Sequence, residues 1–469
     1  RFAVVGFTSG IVKILDAHTL SEIGASFKVT KDAISALTFS QDSQWLALAD
    51  SSHTVALWRF ANTDSNDTNT REFPPTSRHK EPPRDQSWIY IGRYRSHVKE
   101  ITGLEFGSRG NDTITLVSTS ADRTLLEYDL SISSVENGLC LQSPPCLLEE
   151  TARPTACLWH PNLRGDFEDR IITCNTDLKL RQWNANNKQC RCTSLGPTYG
   201  GPIVKLSGLM QARNRDIGNV QYAPSDFLAY STVSNVAGLI KLPLDGNPNK
   251  TIGIIAHPNR VSYLETSADG RFIFTCGSID QVVNVWDVQT NVINTAEILG
   301  GTGCEPYINL LNGGKSGDFY GNLVDYFYYS QLRTLGENMT RSRCLSAHVP
   351  LAEIPNLMRA LGFYPSEIEI TRMISEIKYS RFRASGELQY EIAIEDFIRL
   401  YINHRPVDIA RTDRDLIAPG FQDLVRLSAG LGKDSIDLSW QTFEKILCGH
   451  GEKFSASELQ SCLRSLVGN

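Results

Sequence analysis

The chain has 469 residues, 41% hydrophobic and 21% charged, enough to bury a sizeable core and to build two or more domains. Its net charge of −6, from 46 Lys and Arg against 52 Asp and Glu without a basic run, argues against a dedicated nucleic-acid surface. No uninterrupted apolar stretch is long enough for a bilayer-spanning helix, and 11 irregularly spaced cysteines read as reduced, cytosolic thiols rather than a disulfide framework. The closest pair, Cys190 and Cys192, has no second Cys or His pair beside it, so a zinc site is not expected. The opening at Arg1, inside a repeat and without Met or a signal-like segment, reads as part of a longer polypeptide.

From the start to about residue 300 one unit recurs: a short apolar strand, a tight turn with Asp, and a second strand ending in an aromatic-acidic pair. Its clearest copies are TITLVSTSADRTLLEYDL (Thr113 to Leu130) and RFIFTCGSIDQVVNVWDV (Arg271 to Val288). Aligned on the last strand, the copies place Leu15, Trp58, Tyr128, Trp183, Leu242 and Trp286 at one position. Six residues upstream stand Ser9, Ser52, Asp122, Asp177, Val236 and Asp280. The shortest intervals fit a four-stranded blade of roughly 40–45 residues. Between Trp58 and Tyr128 the interval is longer because of Ala61 to Gln86, poor in apolar residues and rich in Asn, Asp, Thr and Pro; it reads as a projecting solvated loop, open as a partner-binding arm.

These units resemble the WD-repeat family, which implies a β-propeller of about six visible blades, the first partial. A seventh blade would need strands from outside this stretch or from Thr302 to Leu311. The resemblance also implies a hydrogen-bonded line within a blade, from a His through a hydroxyl and the turn Asp to the strand aromatic. His97, Ser118, Asp122 and Tyr128 fit one such line, and His257, Thr275, Asp280 and Trp286 another. A His beside an Asp also suits a catalytic base and its orienting acid. No nucleophile accompanies these pairs, and their recurrence at one place in the repeat favours a structural role. His53 and His160 read as solvated or satisfied groups.

Beyond about Gly300 the texture becomes helical, which divides the chain into a propeller (1–300), a helical connector (301–345) and a helical domain (346–469). An aromatic-rich helix is expected over Asn322 to Glu337. Apolar residues then recur at i, i+3, i+4 and i+7: Ile354, Leu357, Met358 and Leu361; Ile370, Met373, Ile374 and Ile377; Ile394, Phe397, Ile398 and Tyr401; and Leu459, Cys462, Leu463 and Leu466 near the end. Helix, loop, short β-like stretch and helix at about 45-residue intervals resemble paired EF-hands. Placing the hydrophobic eighth loop position at Val349, Ile392 and Leu438 puts the twelfth at Glu353, Asp396 and Thr442. The inner positions lack most of the carboxylates and the Gly that a calcium loop needs: Ser342, Cys344, Ser346 and Ala347 in the first loop, Ser385, Glu387, Gln389 and Tyr390 in the second, and Leu431, Lys433, Ser435 and Ile436 in the third. A degenerate, calmodulin-like domain without bound metal or other cofactor is expected. Such a lobe held open clasps a partner helix, with Met358, Leu361, Met373 and Phe397 as groove candidates; filling the module's own core is the plainer role for them.

Three segments, GDFYGNLVDYFYYSQLRTLGE, VPLAEIPNLMRALGFYPSEIEI and EDFIRLYINHRP, are more specific than any blade pattern. They resemble the C-terminal region of the cilia- and flagella-associated protein 251 family over roughly Gly300 to Asn469. The resemblance implies a non-catalytic scaffold of the axoneme in motile cilia or flagella. There it would belong to the calmodulin- and spoke-associated complex and help anchor the base of radial spoke 3. Implied partners are other subunits of that complex, radial spoke 3 base proteins, the doublet microtubule (tubulin) and the nexin-dynein regulatory complex; no nucleic acid or membrane is among them. Two other functions stay open: a calcium-sensing EF-hand adaptor, and a WD-repeat substrate receptor of a ubiquitin ligase. No phosphate loop, metal-ligand spacing or activated nucleophile points to an enzyme.

Overall fold

Six antiparallel β-sheets follow one another along the first 287 residues of the computed structural model. It describes residues 2–16, 19, 21–22, 27–28, 30–62, 86–110, 113–161, 168–212, 222–336, 342, 345–407, 422, 424–426 and 439–467. The first sheet has three strands (Phe2–Gly6, Ile11–Asp16, Phe27–Lys28) and the second four (Ile34–Phe39, Trp45–Asp50, Thr54–Asn62, Gln86–Arg95). In the third, Ile101–Ser108, Ile114–Ser120, Thr124–Ser134 and Gly138–Leu141 are joined by Cys146–Leu147, which pairs with the third strand. The fourth (Pro154–Trp159, Arg170–Asn175, Lys179–Asn184, Cys190–Leu195) and fifth (Ile203–Ala212, Tyr222–Thr232, Val236–Lys241, Thr251–Ile255) have four strands. The sixth has three (Val261–Thr266, Phe272–Gly277, Val283–Asp287).

From the second sheet to the sixth, the first strand of each sheet packs on the first strand of the next, which is the radial arrangement of a β-propeller. Sheets sandwiched in this way bury both faces, so their strands cannot alternate apolar and polar residues as a one-sided sheet does. Lys179–Asn184 is buried at every position although four of its six residues are polar. Its polar groups are matched instead of exposed: Arg181 lies 3.1 Å from Glu149, and Gln182 Nε2 donates to the Leu244 carbonyl at 3.3 Å.

The turn joining the second and third strands of a sheet has one geometry in five of the six repeats. Gly10, His53, Arg123, Leu178 and Gln281 all take positive φ, between 53° and 74°, one residue after the aligned turn position. A left-handed non-glycine residue is costly, so each turn needs a side chain that caps it. Asp122 Oδ1 accepts from the Thr124 amide at 3.0 Å. Asp50 Oδ1 does the same for the Ser52 and Thr54 amides, and Asn175 Oδ1 for those of Asp177 and Lys179.

In the fifth sheet the register differs from the sequence alignment. Ser231 pairs with Ala237, as Thr119 pairs with Leu125 in the third sheet, so the strand-aromatic position falls on Ile240 and the turn position on Ser234. Leu242 and Val236 are each two residues too far along. The shift arose because no aromatic or Asp marks this repeat. Residues 63–85, the core of the expected loop, lie outside the described residues, and Thr302 to Leu311 supplies a short helix instead of strands.

Among the described residues the helices include α1 (Asn291–Leu299), α2 (Glu305–Ile308), α3 (Asp318–Leu335), α4 (Ile354–Ala360), α5 (Glu367–Lys378), α6 (Phe382–Ser385), α7 (Ile394–His404), α8 (Trp440–Gly449) and α9 (Ala456–Val467). The chain divides into two compact bodies, one of residues 1–320 with 395–404 and the other of residues 321–394 with 405–469. Within the second, His348–Pro350 and Glu391–Ala393 form a two-stranded ribbon in which Val349 faces Ile392. That is the pairing expected of the eighth positions of two coupled loops.

Candidate functional site

Two sets of polar side chains are organised in the propeller body. The first is the line expected in the blades. In the third sheet, His97 Nδ1 lies 3.1 Å from Asp122 Oδ2, His97 Nε2 lies 2.8 Å from Ser118 Oγ, and Ser118 Oγ lies 2.9 Å from the Tyr128 hydroxyl. The Tyr128 hydroxyl donates to Ser96 Oγ at 2.6 Å, which ties the line back to its start. With Asp122 accepting at Nδ1–H, the unprotonated Nε2 accepts from Ser118. Burial, the largest influence, holds the His97 imidazole below its ordinary pKa, so the ring is neutral at pH 7. Burial pushes the Asp122 carboxyl up, but hydrogen bonds from Thr124 and Val98 outweigh it and hold the carboxyl low.

In the sixth sheet His257 Nδ1 lies 2.7 Å from Asp280 Oδ2, His257 Nε2 lies 2.9 Å from Thr275 Oγ1, and Trp286 Nε1 donates to the same Oγ1 at 2.9 Å. The fourth sheet keeps one link, Trp183 Nε1 to Thr173 Oγ1 at 2.8 Å. Each line crosses from a connecting segment through two strands to the next turn. It satisfies groups that would otherwise be buried without partners, which is a fastening role.

The second set was not found by motif reading. The 242–250 connection of the fifth sheet, α1, α2 and α7 meet around a cleft of about 540 Å³ lined by residues including Asp245, Lys250, Glu297, Tyr307 and Arg399. The Asp245 carbonyl accepts from the Tyr307 hydroxyl and from Asn403 Nδ2, both at 3.0 Å, while Asn403 Oδ1 accepts from the Leu195 amide at 3.1 Å. Lys250 Nζ lies 2.5 Å from Asp245 Oδ2 and 3.8 Å from Glu297 Oε1, and Lys241 Nζ lies 2.5 Å from Glu297 Oε2. The Lys241 hydrogen bond is the chief reason the Glu297 carboxyl is held low. Burial pushes the Tyr307 hydroxyl well up, and its ring sits 5.7 Å from the Arg399 guanidinium. Gly246, at φ +82°, leaves the room that Asn403 occupies; a Cβ there would overlap the Asn403 amide. The ion pairs join the 241–250 segment to α1, and it is Asn403, with the Arg399–Tyr307 contact, that binds α7 to the propeller.

A signal for this set was present. A helix with one buried face should be polar elsewhere, yet α7 carries Leu400 and Ile402 off its i, i+3, i+4 stripe. Both are buried, as are Phe397, Ile398, Tyr401, Asn403 and His404, so the last turn of this helix is buried all round, while Glu395, Asp396 and Arg399 nearer its start keep contact with solvent.

Of the groove candidates, Met358, Met373 and Phe397 are fully buried and Leu361 is 6% exposed; they fill cores and do not line an open groove. The carboxylates at the twelfth loop positions are engaged: Glu353 Oε2 with Arg333, and Asp396 Oδ1 with Arg399 at 3.3 Å. Thr442 lies in the first turn of α8, where its amide donates to Ser439 Oγ at 3.3 Å; the third loop, with Leu431, Lys433 and Leu438, lies outside the described residues.

Residues 318–469 match the family model of the CFAP251 C-terminal domain, and residues 21–59 and 246–287 match that of the WD domain, G-beta repeat. The chain is 35% identical over 466 residues to a Pongo abelii protein named cilia- and flagella-associated protein 251, covering 99% of the chain and 37% of that relative. Proteins of the same name are 35% identical in Mus musculus (99% of the chain, 33% of the relative) and 34% identical in Tetrahymena thermophila (93% and 45%). The chain thus spans less than half the length of these curated relatives.

Proposed function

Because the chain belongs to the cilia- and flagella-associated protein 251 family, we propose that it is a non-catalytic scaffold of the axoneme in motile cilia or flagella. In this reading it helps anchor the base of radial spoke 3 to the doublet microtubule, within the calmodulin- and spoke-associated complex. It couples that base to the nexin-dynein regulatory complex and so to dynein-driven bending. The observation that carries the reading is the alignment of nearly the whole chain, propeller and helices together, with relatives that bear the ciliary name. The physical support is that a propeller presents many loops to several partners, while the polar cluster fixes α7 to it as one rigid connector. Proximity labelling with the tagged protein in a ciliated cell tests it. Enrichment of radial spoke-base and doublet proteins is expected; enrichment of proteasomal or nuclear proteins without them would overturn it.

A calcium-linked role has one observation in its favour, the Val349–Ile392 pairing of two EF-hand-like loops. The engagement of Glu353 with Arg333 weighs against it, since a calcium loop needs that carboxylate free to bind bidentately. Calorimetry with Ca²⁺ on the whole chain separates the two readings, micromolar affinity favouring the sensor.

A further inference from the structure

The outer strand of a sheet presents a row of backbone groups that no neighbouring strand takes, and proteins guard such edges with charge, proline or a bulge. The second, third and fourth sheets are guarded in this way. Gln86–Arg95 carries the exposed Arg93 and Arg95, and its ladder shifts register between Leu57 and Trp58 of the neighbouring strand. The edge of the third sheet is interrupted by Pro144 and Pro145, between Gly138–Leu141 and Cys146–Leu147, and its ladder also shifts. Cys190–Leu195 contains Arg191, its ladder shifts between Gln182 and Trp183, and Asn403 takes its Leu195 amide. Thr251–Ile255 of the fifth sheet has none of these guards. Its sequence TIGII holds no charge and no proline, and its ladder runs from the Val236 and Ile255 pair to the Ile240 and Thr251 pair without a shift.

The Ala256 amide donates to the Asn235 carbonyl at 2.8 Å, in register with that ladder. By the alternation of an antiparallel pair, the amides and carbonyls of Gly253 and Ile255 point away from the sheet, and both residues are exposed. Ile254 and Ile255, 43% and 58% exposed, flank the edge on opposite faces. Directly before the strand, Lys250 lines the cleft of about 540 Å³, to which Ile298 contributes a side chain that is 78% exposed. The charges of that cleft are already matched, Lys250 with Asp245 and Glu297, and Arg399 with Asp396. What remains for a ligand is the Ile298 side chain and the flat Arg399 guanidinium, held 5.7 Å from the centre of the Tyr307 ring.

We propose that the outer edge of the fifth sheet docks an extended segment of a partner protein, which adds as a further antiparallel strand and lays an aromatic side chain in the cleft. The sheet already has its own four strands, so the added strand completes no blade. Outward-pointing amides and carbonyls select an extended backbone as the occupant, and an isoleucine on each face favours β-branched residues beside it. Antiparallel is the sense of every pairing within this sheet. Because the charges of the cleft cancel, its occupant is an uncharged ring instead of a phosphate or a carboxylate, and an aromatic ring stacks on the face of a guanidinium. The cleft lies at the start of Thr251–Ile255, so in the antiparallel sense the aromatic residue follows the β-branched run.

The test is fluorescence anisotropy with the 469-residue chain and a fluorescein-labelled peptide of alternating Thr and Val that ends in Trp. Saturable binding is expected. Ile255→Pro removes one outward amide and no bond of the existing ladder, and should weaken binding about tenfold, the loss of roughly one hydrogen bond. Methylating the peptide amides on alternate residues separates strand pairing from apolar adhesion: one set should abolish binding and the other leave it unchanged. Ile298→Ala should weaken binding of the Trp peptide and leave that of a peptide ending in Ala unchanged. No saturable binding, or the same result from both methylated sets, would overturn the proposal. So would a dimer in light scattering that Ile255→Pro dissolves, which assigns the edge to a second copy. Ile254→Lys, which places on this edge a charge of the kind that guards the second sheet, gives the same reading should Ile255→Pro fold poorly.

Discussion

The third and sixth sheets carry the same line of His, hydroxyl, Asp and aromatic, but in different surroundings. In the third, sheets on both sides enclose it, and Tyr128 and Ser118 are fully buried. In the sixth, one side is open, Trp286 is only half-buried, and the Asp280 side chain is 16% exposed against 9% for Asp122. Four residues of the same type thus do unequal work, because the cost of leaving a polar group unpaired depends on how completely water is excluded.

The largest effects come from the apolar residues around each line. Leu116→Ala in the third sheet is expected to cost about 2–5 kcal/mol by urea denaturation, the usual range for a fully buried leucine. Phe274→Ala, at an equally central place in the sixth sheet, is expected to cost well under half as much; equal losses would break the contrast. Next in size, His97→Ala removes one buried partner each from Ser118 and Asp122 and should cost about 1–3 kcal/mol, and His257→Ala less. At the second polar cluster, Asn403→Ala orphans the Leu195 amide and should cost about 1–2 kcal/mol, with Asn403→Asp failing to restore it because the donor to the Asp245 carbonyl is gone.

Smaller effects appear as pH dependence. His97 is held below its unfolded pKa of about 6.5, so the unfolded chain binds the proton more readily. Stability contributed by the neutral ring is therefore lost as pH falls from 6.5 towards the lower folded value, and a His97→Gln variant should lack that slope. Glu105 gives the opposite sign. Burial pushes its carboxyl up to about 7 despite Lys205 at 3.6 Å, so between about 4.5 and 7 the folded chain binds more protons and stability falls as pH rises. Glu105→Gln should flatten this slope.

Much of the propeller was legible in the sequence because its repeat marks itself. A turn Asp and a strand aromatic accompany the buried hydroxyls Ser118 and Thr275, and the pairing of His97 with Asp122 and of His257 with Asp280 follows from their spacing in the repeat. Reading failed in the fifth sheet, where Ile240 and Ser234 replace those markers, leaving hydrophobicity alone to set a register that it cannot resolve to two residues. The Asn403 cluster was illegible for a different reason. Its members are separated by up to 208 residues, and a backbone carbonyl such as that of Asp245 has no signature in sequence.

What the sequence by itself determined is local and periodic: strands, turns, the amphipathic helices α4, α5 and α7, and the Val349 and Ile392 positions that pair. Those follow from side-chain spacing along a few residues, which the backbone geometry of each element reads directly. Only the tertiary structure decided that residues 395–404 belong to the propeller body, that Met358 and Met373 close a core, and that the sixth sheet keeps a bare face. Each of these depends on which distant surfaces exclude water from one another, and burial is a property of the packed molecule that no short window of residues contains.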